Sequence, residues 1–348
     1  MKGERIVQLL ETNYPIVQAG MAGGVTTPGL VAAVSEAGGF GTIGAGYMEA
    51  EAMKESIREV KERTEKPFGV NLFVPGHPSS GLEEEEKAMR ALHPFREELG
   101  MEAVVNPDTP SVFDEQIEGI LAEKVPVVSF TFGIPPEEVI RSLKQSGIKV
   151  IGTATTVEEA VLNEEAGMDA IVAQGAEAGG HRGTFHASFE KGMIGLMSLI
   201  PQITDHISIP VIAAGGIMDK RGIAASFALG AEGVQLGTAF VTSKESGAKR
   251  VHKGAILEAT EADTVVTDVF SGKPARGIEN RFIREMEGRT ILEYPLQNAL
   301  TKPIRKEAGR LQKTEFMSLW SGQSPRLSED SAAADIIRKL SEYWDESL

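Results

Sequence analysis

The chain of 348 residues contains no cysteine. That excludes disulfides, thiolate metal sites and cysteine nucleophiles. Basic residues are also in short supply, 35 against 50 acidic ones, for a net charge of −15. Nucleic acid and anionic membranes need basic patches, so neither is an expected partner. No apolar run approaches the roughly 20 residues that span a bilayer. The opening MKGERIVQLLETNYP lacks the apolar core of a signal peptide, so a cytoplasmic protein is the expectation. The six histidines show no paired-ligand spacing, and no metal site is expected. The P-loop pattern GxxxxGK[ST] is absent, and no predicted strand runs through GxGxxG into a helix.

What the chain does have is a rhythm. Hydrophobic residues make up 41%, enough for a large core. Near-continuous apolar runs, as expected of strands covered on both faces, occur at 15–19, 40–43, 68–72, 125–130, 150–153, 170–173, 211–214 and 233–236. Amphipathic segments at 29–37, 49–64, 135–145, 156–165 and 220–229 lie between them. Most of these end at glycine, the expected stop signal. Eight strands alternating with helices predict a (β/α)8 TIM barrel of the α/β class, with an open doubly wound sheet as the alternative.

Two stretches break the rhythm. Residues 74–124 are too long for one helix and a loop; they hold GHPSSG, a helix opening on the acidic run Glu83–Glu86, and PDTP at 107–110. Acidic side chains suit a solvated helix start. Residues 243–313, after the eighth strand, are rich in charge and helix formers and predict a helical insertion or lid over the barrel mouth. The expected division is a barrel over 1–242, that insertion, and a C-terminal segment over 314–348. The helical spacing of Ile336, Ile337, Leu340 and Trp344 suggests that this last segment closes the barrel.

Unusual residues collect where predicted strands end: QAGMAGG at 18–24, Asn71 in GVNLF, SFTFG at 129–133, GTATT at 152–156, QGAEAGGHRG at 174–183, AAGGI at 213–217 and QLGT at 235–238. All would share the C-terminal rim of a barrel, the face where such folds keep their chemistry. Gly215 and Gly216 after strand seven, with Gly237 and Thr238 at the start of a short helix after strand eight, predict a backbone cradle for a phosphate. The amides Asn71 and Gln174 offer both donor and acceptor, which suits the pyrimidine edge of a flavin, or they cap loops internally. His181, flanked by Gly179, Gly180 and Gly183, is the candidate general base; unperturbed histidine titrates near ~6.5. His186 is its chief competitor but lacks flanking glycines, and His77, His93, His206 and His252 read as solvated or structural.

These motifs, in this order and spacing over about 15–240, closely resemble those of the nitronate monooxygenases, formerly called 2-nitropropane dioxygenases. WSGQ at 320–323 is a weaker match to the family's late segment. The resemblance implies noncovalent FMN held by Gln18, Gly20, Met21, Asn71, Gln174, Gly179, Gly180, Gly215, Gly216, Gln235, Leu236, Gly237 and Thr238, with His181 catalytic. It implies oxidation of alkyl nitronates, such as propionate 3-nitronate, by O2 through a flavin semiquinone, giving a carbonyl compound and nitrite or nitrate. Partners would be the nitronate and O2, with no nucleic acid and no membrane, and the oligomeric state stays open. A related FMN barrel that reduces an enoyl thioester or quinone with NAD(P)H is the alternative. Barrel dehydrogenases of the IMP dehydrogenase kind use a cysteine and are excluded.

Overall fold

Eight parallel strands close on themselves. The computed structural model describes residues 2–76, 81–101 and 111–345; PDTP at 107–110, most of GHPSSG and His77 lie outside them. The barrel strands are β1 (Ile16–Gln18), β2 (Gly41–Gly44), β3 (Phe68–Phe73), β4 (Val127–Thr131), β5 (Lys149–Ala154), β6 (Ala170–Gln174), β8 (Val211–Ala214) and β9 (Gly233–Leu236), with β7 (Gly180–His181) between the sixth and seventh. Their spatial order is β1-β9-β8-β6-β5-β4-β3-β2, every pair parallel. This is the predicted TIM barrel, and the open-sheet alternative is set aside.

The seam is narrow. β1 and β2 pair through an isolated bridge, Val17 to Phe40. Gln18 sews it: its Oε1 accepts from Thr42 N at 3.1 Å and its Nε2 donates to Thr42 O at 3.2 Å. A buried amide with both ends bonded avoids the cost of desolvated, unpaired polar atoms.

The helices are α1 (Glu4–Leu10), α2 (Pro28–Glu36), α3 (Ala50–Arg63), α4 (Leu82–Glu98), α5 (Phe113–Glu123), α6 (Glu137–Gln145), α7 (Val157–Glu165), α8 (Leu196–Thr204), α9 (Lys220–Ala228), α10 (Thr238–Val241), α11 (Arg250–Glu258), α12 (Arg281–Met286), α13 (Leu296–Arg310) and α14 (Ala333–Asp345). Local chemistry starts several of them. Thr27 caps α2 by accepting from Leu30 N at 3.0 Å, ahead of Pro28, and Asp219 caps α9 through Arg221 N at 2.9 Å. Thr156 caps α7 through Glu159 N at 3.2 Å. The acidic run falls in the first turn of α4, as its charge suggested. α14 packs against both α2 and α9, with Ile336, Ile337, Leu340 and Trp344 buried.

The segment after β9 is only partly helical. It also carries β10 (Thr264–Thr267) and β11 (Ala275–Ile278), an antiparallel hairpin whose second strand pairs with β7. α4 leaves the barrel to join it. Leu92 and Phe95 share a second core with Phe270, Phe282, Leu300, Ile304 and Phe316. The Phe95 and Phe282 rings stand 4.7 Å apart, and Arg96 Nη2 donates to Leu300 O at 2.8 Å. Burying each such phenylalanine stabilises the cap by about 1.5–3 kcal/mol. Two insertions far apart in sequence thus build one cap beside the barrel rim.

Candidate active site

The strand ends converge on one cleft. Gly20 and Met21 just after β1, Asn71 from β3, Gln174 from β6 and Gln235 from β9 line it, together with Gly179, Gly180 and His181. Gly215 and Gly216 after β8 and Gly237 and Thr238 after β9 complete that wall. Gln18 and Leu236 do not line it. Gln18 is consumed by the barrel seam, and the Leu236 side chain packs in the core.

His181 is held by the cap. Its strand pairs Ala275 with His181 and Arg276 with Gly180, and Arg182 N donates to Pro274 O at 2.8 Å. Below it, Gln174 staples the loop: Nε2 donates to His181 O at 3.0 Å and Oε1 accepts from Gly183 N at 2.8 Å. Each end of the amide thus makes one bond to the histidine's own loop, leaving its second N–H and second lone pair on the cleft wall that Gln174 lines. The Arg182 guanidinium, also buried, donates to Gln174 O and Gly192 O at 3.0 Å each and to Gly175 O.

The imidazole Nε2 lies 2.8 Å from Ser271 Oγ. That hydroxyl donates to Lys273 O at 3.0 Å and accepts from Lys273 N at 3.3 Å. A hydroxyl has one proton to give. With it on the Lys273 carbonyl, Nε2 donates and the lone pair of His181 lies on Nδ1; with it on Nε2, the tautomer is reversed. Four aromatic rings surround the imidazole, with centroids at 5.5 Å (Trp320), 5.7 Å (Phe132), 6.3 Å (Tyr294) and 6.4 Å (Phe73). Burial, then the charges of Arg305 and Lys273, hold its pKa down to about 3. The sequence suggested a base titrating near neutrality; the structure instead keeps a neutral imidazole throughout the physiological range. Burial likewise pushes the Tyr47 hydroxyl up to about 12, so it stays protonated.

The glycine cradle fits a phosphate. Among the described residues, Gly215, Gly216, Ile217 and Gly237 donate no main-chain N–H to another backbone carbonyl. Gly216 has φ +64, a region costly for side-chain-bearing residues, and a Cβ there would lie 3.2 Å from Glu177 Cβ. α10 spans four residues, so the cradle depends on these N–H groups more than on a helix dipole. Asn71 spends its Nδ2 on Ser129 Oγ at 2.9 Å and Thr131 Oγ1 at 3.1 Å. Its Oδ1 receives no internal donor among the described residues, so it remains an acceptor on the cleft wall. Glu177, next to the cradle, turns its carboxylate to cap α8 at Leu196 N, 3.0 Å away.

The WSGQ segment does return to this site. Gly322 N donates to Thr238 Oγ1 at 2.9 Å and Gln323 N to Glu177 O at 3.0 Å. His252 is structural, as expected, but it is also buried in the cleft wall, where its Nε2 lies 3.0 Å from Trp320 O. His186 and His93 sit on the surface beside Glu158 and Glu97. Ser271, Lys273, Tyr294 and Arg305 had no sequence signal. Each lies in the cap, in segments with no glycine cluster and no strand-end position.

The family model described as nitronate monooxygenase matches residues 4–342. A probable nitronate monooxygenase of Staphylococcus saprophyticus is 52% identical over 349 residues, covering 99% of this chain and 98% of its own length. The structure of nitroalkane oxidase from Streptomyces ansochromogenes is 41% identical with a TM-score of 0.92, covering 99% and 98% of the two chains. FabK from Thermotoga maritima is 37% identical with a TM-score of 0.78, covering 99% and 96%.

Proposed function

Because this chain belongs to the nitronate monooxygenase family, we propose that it oxidises alkyl nitronates, propionate 3-nitronate among them, with FMN as cofactor and O2 as oxidant, to a carbonyl compound and nitrite or nitrate. It is an oxidoreductase acting on small molecules. No helix among the described residues is long and apolar enough to cross a membrane. The observation that carries the reading is the neutral His181, fixed by Ser271, in an aromatic chamber that opens onto an anion cradle.

The roles divide by chemistry. Gly215, Gly216, Gly237 and Thr238 would hold the FMN phosphate. Gly20, Met21 and the free Oδ1 of Asn71 would face the ring system, while Gln174 would act on it indirectly by setting the His181 loop. When bound, FMN supplies the electron acceptor and the route to O2. With Ser271 donating to the Lys273 carbonyl, His181 would keep its lone pair on Nδ1. With a neutral nitroalkane that atom would accept the α-proton; with a preformed nitronate the imidazole would orient the anion. Phe73, Phe132, Tyr294 and Trp320 exclude water and accommodate the alkyl chain. Residues 243–313 serve as the lid that shapes this chamber.

The alternative, reduction of an enoyl thioester or quinone by NAD(P)H, takes its support from the likeness to FabK. One experiment separates the two. The flavin-loaded protein is mixed anaerobically with a nitronate or with NADH, and its absorbance is followed. Bleaching by nitronate, and turnover once O2 is admitted, is the expected result. Fast bleaching by NADH with none by nitronate overturns the proposal.

A further inference from the structure

Four cations stand around His181 in a chain of net charge −15. Arg182, Arg276, Arg305 and Lys273 are each drawn below their ordinary pKa by burial, and none forms an ion pair among the described residues. Buried charge without a counter-charge is costly, so each needs another partner. Three have one. Arg182 donates to the carbonyls of its own loop, Arg276 Nε to Ala176 O at 3.0 Å, and Arg305 Nη2 to Asn298 Oδ1 at 2.6 Å.

Lys273 differs. Its ammonium donates no hydrogen bond among the described residues and instead sits 4.5 Å from the centroid of the Phe132 ring. Phe132 is itself unusual. It has φ +77, a left-handed conformation costing a side-chain-bearing residue about 1–2 kcal/mol. Such strain persists where surrounding structure enforces it, often at functional sites. The same ring that meets the Lys273 ammonium lies 5.7 Å from the imidazole centroid of His181. The Lys273 backbone is clasped in both directions by Ser271, the residue that fixes His181. The free cation is therefore built into the catalytic loop.

We propose that Lys273 is a specificity-determining residue: its ammonium, poised on Phe132, draws an anionic substrate into the chamber and favours the nitronate over its neutral nitroalkane. The inference rests on the nitronate reading above. The global field of the chain repels anions, so the attraction must be local. Local cations of this kind raise association rates by about 10–10³-fold, in a salt-dependent way.

The test compares wild type, Lys273→Met and Lys273→Arg as flavin-loaded enzymes. kcat/KM is measured for an alkyl nitronate and its parent nitroalkane at several ionic strengths. In parallel, nitrate is titrated as an inert planar anion, followed by fluorescence; of the two tryptophans, Trp320 lines the cleft and Trp344 is buried against Tyr14. In the methionine variant the preference for nitronate should fall about tenfold, the salt dependence should flatten and nitrate should bind more weakly. Arginine should restore most of each. An unchanged salt dependence or an unchanged nitrate affinity overturns the inference while leaving nitronate oxidation standing. If the wild type oxidises no nitronate, it is the functional reading that fails, and nitrate affinity alone then decides the role of Lys273.

Discussion

His181 and Ser271 are joined by a 2.8 Å bond between imidazole Nε2 and hydroxyl Oγ, although 90 residues separate them in sequence. If His181 is the base proposed above, the bond makes the cap a part of its machinery, because the hydroxyl's donor or acceptor role sets which imidazole nitrogen keeps the lone pair. Ser271→Ala removes that assignment and frees the ring to turn. We expect kcat to fall about tenfold, the equivalent of roughly 1.4 kcal/mol, with flavin content unchanged. Ser271→Thr should retain most of the rate, since it keeps the hydroxyl. Steady-state kinetics at matched flavin content check this; an alanine variant with wild-type kcat would remove Ser271 from the account.

The base role of His181 is tested by separating substrates. His181→Asn keeps a polar side chain of modest size but abolishes the proton acceptor. General-base catalysis contributes about 10²–10⁴-fold, so kcat/KM should drop by that order for a neutral nitroalkane. It should drop much less for the preformed nitronate. Equal losses for both would leave His181 only an orienting role.

The depressed pKa of His181 has a consequence for stability. In the folded chain it lies at about 3, against an ordinary value of 6.5, because of burial and the charges of Arg305 and Lys273. The folded state therefore binds fewer protons at this position than the unfolded one. The stabilisation is fully present above pH ~6.5 and is lost progressively as pH falls from there toward 3. His252, lowered by burial, acts in the same direction. Urea midpoints of the flavin-free protein measured from pH 7 to 4 should fall, and the fall should be shallower in His181→Asn. An identical pH dependence in the two proteins would contradict the buried neutral imidazole.

Gly216→Val should empty the cradle. At φ +64 the branched side chain is strained, and its Cβ would lie 3.2 Å from Glu177 Cβ. We expect purified protein with most of its flavin lost and an FMN dissociation constant raised at least tenfold, read by flavin fluorescence. Full flavin content in the variant would place the phosphate elsewhere.

The second core should behave as a unit. Phe95→Ala and Phe282→Ala each remove a large buried side chain, at a cost of about 3–5 kcal/mol. Their rings are 4.7 Å apart on segments nearly 190 residues distant in sequence. The double variant should therefore cost less than the sum of the two, with a coupling of about 0.5–1.5 kcal/mol. Additive losses in urea unfolding would mean that α4 and the late segment are independent.

By itself the sequence determined the barrel and its rim. Parallel strands buried on both faces must be continuously apolar, so β8 and β9 could be read to the residue, and glycine clusters at strand ends marked the cleft, with His181 on its wall. These are local signals, carried by neighbouring residues and by the period of the backbone. Only the tertiary structure decided how the remaining polar groups were spent. Gln18 and Gln174 are the same residue type at equivalent strand ends, yet one sews the barrel seam and the other staples the His181 loop. Amides show their bonding capacity in sequence but not their partners. The strands of β7, β10 and β11 are two to four residues long, too short for a period of two to register. Ser271 and Lys273 reach His181 only because that small sheet folds the cap onto the rim. Contacts between residues so distant leave no trace in local pattern, since chain proximity there is produced by packing, not by spacing.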